Sequence, residues 1–272
     1  MTNLQTLLDF TTSLAYRAGR ITLGYFNTGL RPDFKADDTP VTAADRAAEE
    51  FIRGEIEKAY PGHAIIGEEY GESPRFDFGR EAPSAQREEK SFRWIVDPID
   101  GTKSFMRGVP LYAVLIGLEI EGVVRVGAAY FPGLDEMLCA ADGLGAWWNS
   151  RRARVSEVAV MKQACVCYTT YHNFEKRDLS VWKRLSDAAY MMRGWSDAYA
   201  YLAVATGRAE VALDPFMKVW DCGPFPVILR EAGGYFGSWS GEEGHTHGEA
   251  LACNAALRPE VLKLMRGESA DR

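Results

Sequence analysis

The sequence predicts an α/β fold, and three observations predict it. Apolar residues recur at helical spacing in the opening segments, short apolar runs bounded by turn residues fill the middle, and helix and strand patterns alternate in the second half. The chain has 272 residues, enough to bury a large core as one domain or as two halves sharing an interface. The expected division is 1–150, an α+β half, and 151–272, an α/β half.

Leu4, Leu7, Leu8, Thr11, Leu14, Ala18, Ile21 and Tyr25 predict a long amphipathic helix. A polar loop from Gly29 to Thr39 ends at Pro40. Thr42 then reads as an N-cap with Asp45 at the third helical position, which holds that carboxylate near free backbone N–H groups. Ala44, Ala48, Phe51, Ile52 and Ile56 form the buried face of this second helix, and Pro61-Gly62 stops it. Ala64-Ile65-Ile66 is a short strand running into Gly67-Glu68-Glu69, and Ser73 to Lys90 reads as a mobile surface excursion. Arg93 to Val96 is an apolar strand leading into Asp97. Leu111 to Glu119 and Val123 to Tyr130 form a hairpin joined by Glu121-Gly122. Strands follow at Glu136–Ala140, Gly145–Trp148 and Ala164–Tyr168. Helices are expected over Leu179–Tyr190, Ala198–Thr206, the segment from Asp221 to Gly233-Gly234, and from Pro259 onward; strands lie at Ala209–Leu213 and Ala250–Cys253.

Net charge is −7, with Lys and Arg spread along the chain, which argues against nucleic acid or an anionic membrane as the main partner. An acidic protein that handles an anionic substrate needs local positive charge, and a bound metal supplies it. Five scattered cysteines fit reduced thiols in a cytoplasm, with Cys165 and Cys167 as core thiols. The N-terminus lacks the basic region of a signal peptide, and no apolar run reaches membrane-spanning length.

The most informative stretch is Trp94-Ile95-Val96-Asp97-Pro98-Ile99-Asp100-Gly101-Thr102. A buried strand delivers Asp97, Pro98 forces a turn, and Asp100 folds back with the Ile99 carbonyl between the two carboxylates. An all-oxygen donor set suits Mg²⁺ or Mn²⁺ better than zinc. Gly101 allows close backbone approach, and a helix starting at Thr102 would offer N–H groups to a phosphate. Taken alone, the pentapeptide is a plain surface turn; the Trp-led core strand ahead of it argues otherwise. Trp220-Asp221-Cys222 precedes an apolar helix, with Asp221 placed as an N-cap, and Gly67-Glu68-Glu69 sets two carboxylates at a strand end.

In this order, the Trp94–Phe105 block, the Gly67-Glu68-Glu69 step and the Trp220-Asp221 to Gly234 segment resemble the inositol monophosphatase superfamily of metal-dependent phosphatases. The resemblance implies a layered sandwich of alternating helices and sheets, and commonly a homodimer. It implies metal ligands at Glu68, Asp97, the Ile99 carbonyl, Asp100 and Asp221, with Asp45 and Thr102 activating or orienting the attacking water and Lys35 on a loop beside the site. The substrate would be a small phosphate ester, bound in part by Gly101 and Thr102. No Cys or His stands in a nucleophile pattern, so no covalent phosphoenzyme is expected.

The Asp100–Pro110 run, Arg193-Gly194-Trp195-Ser196-Asp197 and the stretch from His247 to Asn254 look closest to the histidinol-phosphatase branch. On that resemblance, Asp197 and Asp214 recognise the amine or imidazole of histidinol phosphate. The competing reading makes Asp197 a helix cap and Asp214 a loop residue. Other expectations for the chain are an inositol-1-monophosphatase, a sugar or nucleotide phosphate phosphatase, or a non-catalytic regulatory relative, which would have lost a metal carboxylate.

Overall fold

The computed structural model describes residues 3–29, 31–34, 40–73, 91–195 and 197–268. Lys35, Ser196 and the excursion beyond Ser73 as far as Lys90 lie outside the described residues.

Helix α1 (Leu4–Leu23) starts at Asn3, whose side chain accepts hydrogen bonds from the Gln5 and Thr6 amides. Short strands β1 (Asp33–Phe34) and β2 (Pro40–Val41) pair and lead to α2 (Ala43–Ala59), which opens with the predicted capping box between Thr42 and Asp45. Next come β3 (Ala64–Gly67), β4 (Gly71–Ser73), β5 (Phe92–Asp100), the short α3 (Thr102–Met106), β6 (Ala113–Ile120), β7 (Val123–Phe131), β8 (Glu136–Ala141), β9 (Gly145–Trp148) and β10 (Arg151–Arg152). The turn between β6 and β7 has positive φ at both Glu121 and Gly122, as a tight hairpin requires. The second half holds β11 (Cys165–Tyr168), α4 (Tyr171–Arg177), α5 (Leu179–Ala188), β12 (Met191–Arg193), α6 (Ala198–Ala205), β13 (Val211–Asp214), α7 (Val219–Cys222), α8 (Phe225–Glu231), β14 (Gly234–Gly237), β15 (Ala250–Asn254) and α9 (Arg258–Arg266).

These elements make an eight-stranded sheet ordered β10-β9-β8-β7-β6-β5-β3-β4 and a five-stranded sheet ordered β12-β11-β13-β15-β14. Three apolar clusters explain the stacking. One joins α1 and α2 to the outer face of the first sheet through Leu14, Ile52, Trp94, Ile116 and Tyr130. The largest lies between the sheets, where Ile95, Leu115 and Phe131 of the first meet α6 and α8 and then Ala212 and Ala252 of the second. The third packs Phe174, Leu185 and Val261 of α4, α5 and α9 on the far face of the second sheet. The order is therefore helix, sheet, helix, sheet, helix, an α/β sandwich in which the middle helices are covered on both sides. That explains α6, Ala-Tyr-Ala-Tyr-Leu-Ala-Val-Ala, which carries no polar stripe and is buried nearly throughout. β6 is buried at every position for the same reason. The cysteines at 165 and 167 are free and buried in β11, as expected of core thiols.

Candidate active site

β5 presents two carboxylates that simple strand geometry would send to opposite faces, because side chains alternate with a period of two. Asp97 pairs with Leu115 and Asp100 with Ala113, so three steps on β5 match two on β6. This bulge, at Pro98-Ile99, adds the residue that turns Asp100 back toward Asp97. The Ile99 amide donates to Asp97 Oδ1 at 3.0 Å, and Thr102 Oγ1 donates to the Ile99 carbonyl at 3.1 Å. Gly101, with φ +82°, makes the left-handed turn between bulge and α3. The Ala198 amide, at the start of α6, donates to Asp100 Oδ2 at 2.6 Å.

Asp221 arrives from the second half of the chain. Asp97, Asp100 and Asp221 offer carboxylate oxygens that all lie within 4.8 Å of one another. The sequence reading of Asp221 as an N-cap is corrected: it is the third residue of the single-turn α7 and accepts the Lys218 amide at 2.7 Å. The reason is that the chain makes one extra turn before Pro224, so the apolar helix α8 starts at Phe225 instead. α7 reaches the cluster by lying close on the sheet. A Cβ at Gly117 of β6 would sit 2.4 Å from the Gly223 carbonyl oxygen, and one at Gly223 would meet Ile95 Cγ2 at 3.0 Å. Glycine at 223 thus shortens the approach.

Asp45 and Glu68 flank this cluster. Asp45 Oδ2 accepts from the Thr42 amide at 2.7 Å and its hydroxyl at 2.6 Å, while Asp45 Oδ1 is buried with no hydrogen-bond partner among the described residues. Glu68 follows β3, its amide bonded to the Val96 carbonyl of neighbouring β5. It stands outside the group of three but close enough to be the main charged neighbour acting on Asp97.

The electrostatics follow from acids crowded together out of water. Burial first, then the Glu68 and Asp100 carboxylates, push Asp97 well above the ordinary 3.8. Burial, then Asp197, does the same to Asp100, against the pull of the Ala198 amide. Burial raises Asp221 to about 7 and Asp45 to about 6, with Glu68 adding to both. No ion pair among the described residues brings a Lys, Arg or His to Asp45, Asp97, Asp100 or Asp221.

Asp197 and Asp214 also converge here. Asp197 occupies the N-cap position of α6, but its side chain makes no capping bond; its Oδ2 lies 3.5 Å from Ser104 Oγ and 3.1 Å from where a Gly101 Cβ would stand. Its backbone, at φ 55° and ψ −150°, occupies a region that favours glycine. Asp214 ends β13, fully enclosed, and not in a loop: it accepts the Thr169 amide at 3.1 Å and the Tyr201 hydroxyl at 2.9 Å. Burial raises it to about 7. Thr169 then accepts the Asp197 amide on its hydroxyl at 3.2 Å, linking the two acids. Thr169, Tyr201 and Glu49 were absent from the sequence reading. Glu49 had a usable signal: it lies four residues after Asp45 on the same helix face.

The donor set tests whether a metal fits. Three carboxylates, the carboxylate of Glu68 and a strand-end carbonyl are hard oxygens, they repel one another when bare, and Asp45 Oδ1 points to no protein donor. These residues fit hard divalent cations. Fold and site therefore define a class, that of layered α/β proteins with a carboxylate cluster suited to hard cations.

Comparison with known proteins narrows the class. The inositol monophosphatase family profile matches residues 3–268. Over 96% of this chain and 97% of its own length, a histidinol-phosphatase of Chlorobaculum parvum is 40% identical; one of Mycobacterium tuberculosis is 38% identical over 92% and 94%. A solved structure of an inositol monophosphatase from Anabaena (Nostoc) superposes with a TM-score of 0.81 at 29% identity, covering 98% of each chain. The chain belongs to the inositol monophosphatase family and is a phosphoric monoester hydrolase. Metal dependence is general in that family. Among the described residues no helix is long and apolar enough to cross a membrane.

Proposed function

We propose that this chain is a Mg²⁺-dependent phosphatase of histidinol phosphate that also accepts Mn²⁺. The observation that carries the substrate is the position of Asp197. Its carboxylate lies against Gly101 and is the main charged neighbour of Asp100 in an already acidic cluster. An extra anion there disfavours a purely anionic ester and favours one that also carries a cation, as the amine of histidinol phosphate does. The phosphatases of C. parvum and M. tuberculosis support the same substrate by their names.

In this proposal Glu68, Asp97, the Ile99 carbonyl, Asp100 and Asp221 hold the ions. Bound Mg²⁺ would supply an acidified water and neutralise charge on the phosphoryl and leaving oxygens. Thr102, whose hydroxyl proton is engaged by the Ile99 carbonyl, presents a lone pair to orient the water. Asp45, raised only to about 6, is largely ionised at neutral pH and takes a proton at its unpartnered Oδ1. Gly101 and Thr102 bind the phosphate with backbone N–H groups, and Asp197 receives the substrate cation. Asp214, its oxygens already hydrogen-bonded, holds Thr169 and Tyr201 behind Asp197 and deepens the negative field. Residues 1–150 then supply the cation and water ligands except Asp221, and residues 151–272 supply Asp221, the recognition acid Asp197 and its support Asp214. A cytoplasmic homodimer is part of the same proposal, on family resemblance, and sedimentation measures the assembly.

Turnover of histidinol phosphate against inositol monophosphate, with Mg²⁺ and after chelation, tests the proposal. Preference for histidinol phosphate, loss of activity on chelation and an inactive Asp97→Asn are expected. A strong preference for the polyol ester refutes the substrate, and full activity in the chelated enzyme refutes the metal-dependent mechanism.

A further inference from the structure

One face of α2 carries three buried charged residues a turn apart, Asp45, Glu49 and Arg53, alongside the apolar stripe that packs on the sheet. Glu49 is fully enclosed, yet its partner is local: Arg53 Nε donates to its Oε1 at 2.8 Å. The rest of its hydrogen-bonding capacity goes to the chain just past Glu68. The Glu69 amide donates to Glu49 Oε2 at 2.8 Å and the Tyr70 amide to Oε1 at 3.2 Å. Arg53 continues the grip, donating to the Gly71 carbonyl and to Ser73 Oγ. Room for this is made by Gly67, where a Cβ would lie 2.1 Å from Glu49 Oε1. Glu68 is thus pinned on both flanks, on one side by its own amide bonded to Val96 of β5, on the other by a carboxylate rooted in α2.

A buried charged carboxylate spent on two backbone amides is costly unless a fixed geometry depends on it, since an apolar pair of the same volume often stabilises as well or better. The geometry in question is the placement of Glu68 relative to Asp45, because the helix that clamps the 68–70 turn also begins with Asp45. We propose that Glu49 is a positioning residue: with Arg53 it locks the Glu68 turn onto the helix that holds Asp45, and so sets the affinity of the site for divalent cations. The inference rests on the metal-dependent reading above.

Mn²⁺ binding to the metal-free protein, followed by electron paramagnetic resonance, tests it without recourse to activity. In Glu49→Gln the amide NH₂ faces the Glu69 N–H, so that amide loses its acceptor and the turn is released. Mn²⁺ affinity is expected to fall about 10- to 100-fold, the usual effect of removing an outer partner of a ligand. The double substitution E49M/R53M replaces the pair by apolar groups of similar volume, which retains the fold by the argument above but not the clamp; its affinity is expected to fall equally. Glu210→Gln is the control, since Glu210 likewise binds a backbone amide, that of Cys165 at 2.7 Å, but in the other sheet. Its Mn²⁺ affinity is expected to stay that of the wild type. A folded E49M/R53M protein with wild-type affinity overturns the proposal. So does loss of cooperative unfolding in both Glu49 variants, which would make the pair a support of the fold alone. Failure of the wild-type chain to bind Mn²⁺ would instead sink the metal-dependent reading itself.

Discussion

Replacing Asp197 by glycine should make the protein more stable and less selective at once, because two properties of this residue pull in opposite directions. Its backbone sits at φ 55° and ψ −150°, in a region where an L side chain costs about 1–3 kcal/mol. Glycine removes that cost but loses about 0.5–1 kcal/mol more conformational entropy on folding. The balance is a gain of about 1 kcal/mol, or a rise in Tm of about 2–4 °C for a chain of this size. The backbone bonds from Ala198 to Asp100 and from the residue-197 amide to Thr169 survive the change. The carboxylate does not. A charge-assisted contact to the substrate cation contributes about 1.5–3 kcal/mol, so kcat/KM for histidinol phosphate should fall about 10- to 100-fold. Turnover of inositol monophosphate should hold or rise, since a repelling anion has gone. Asp197→Asn separates the two effects: selectivity is lost while Tm stays near wild type, because asparagine accepts positive φ little better than aspartate. Calorimetry and steady-state kinetics on both esters check this. A glycine variant with lower Tm would show that the carboxylate supports the fold, and an equal loss on both esters would refute its role in choosing the substrate.

Three further outcomes are expected. Asp45, Asp97, Asp100 and Asp221 all bind protons more tightly in the folded chain than the ordinary 3.8. From about pH 4 upward the unfolded chain releases protons that the metal-free native chain retains, so native stability falls as pH rises toward 7; for Asp45, held at about 6, the change corresponds to about 3 kcal/mol. Tm in chelator should therefore be lower at pH 7.5 than at pH 5, with Mg²⁺ reversing the order; a Tm that rises with pH in chelator contradicts the crowding of bare acids. Tyr201→Phe removes a buried donor to Asp214, at a cost of about 1–3 kcal/mol. Because Asp214 then rises further above about 7, the variant should lose more stability at pH 8 than at pH 5, read by urea titration at each pH. Gly117→Ala drives a methyl group to 2.4 Å from the Gly223 carbonyl oxygen, so it should cost about 1–3 kcal/mol and lift α7 from the sheet. Calorimetric Mg²⁺ titration should show weaker binding, through displaced Asp221; unchanged affinity would mean that α7 moves as a unit with the cluster.

Much of this protein was determined by its sequence alone. The strand that delivers Asp97, the turn through Pro98 and Gly101, and the Thr42–Asp45 capping box depend on neighbours a few residues apart, where φ restrictions and local hydrogen bonds leave few choices. The hairpin at Glu121-Gly122 and most other elements were legible for the same reason, as periodicity reports which face is buried. Only the tertiary structure decided how far Asp221 reaches, that Asp197 is strained and does not cap its helix, and that Glu49 clamps the turn after Glu68. Those outcomes turn on contacts between segments remote in the chain. Two glycines let α7 lie close on β5 and β6, a bulge resets the alternation of β5, and a buried carboxylate finds its donors on another element. Local propensity holds no record of such contacts, because the packed layers choose the partner and the chain's own neighbours do not.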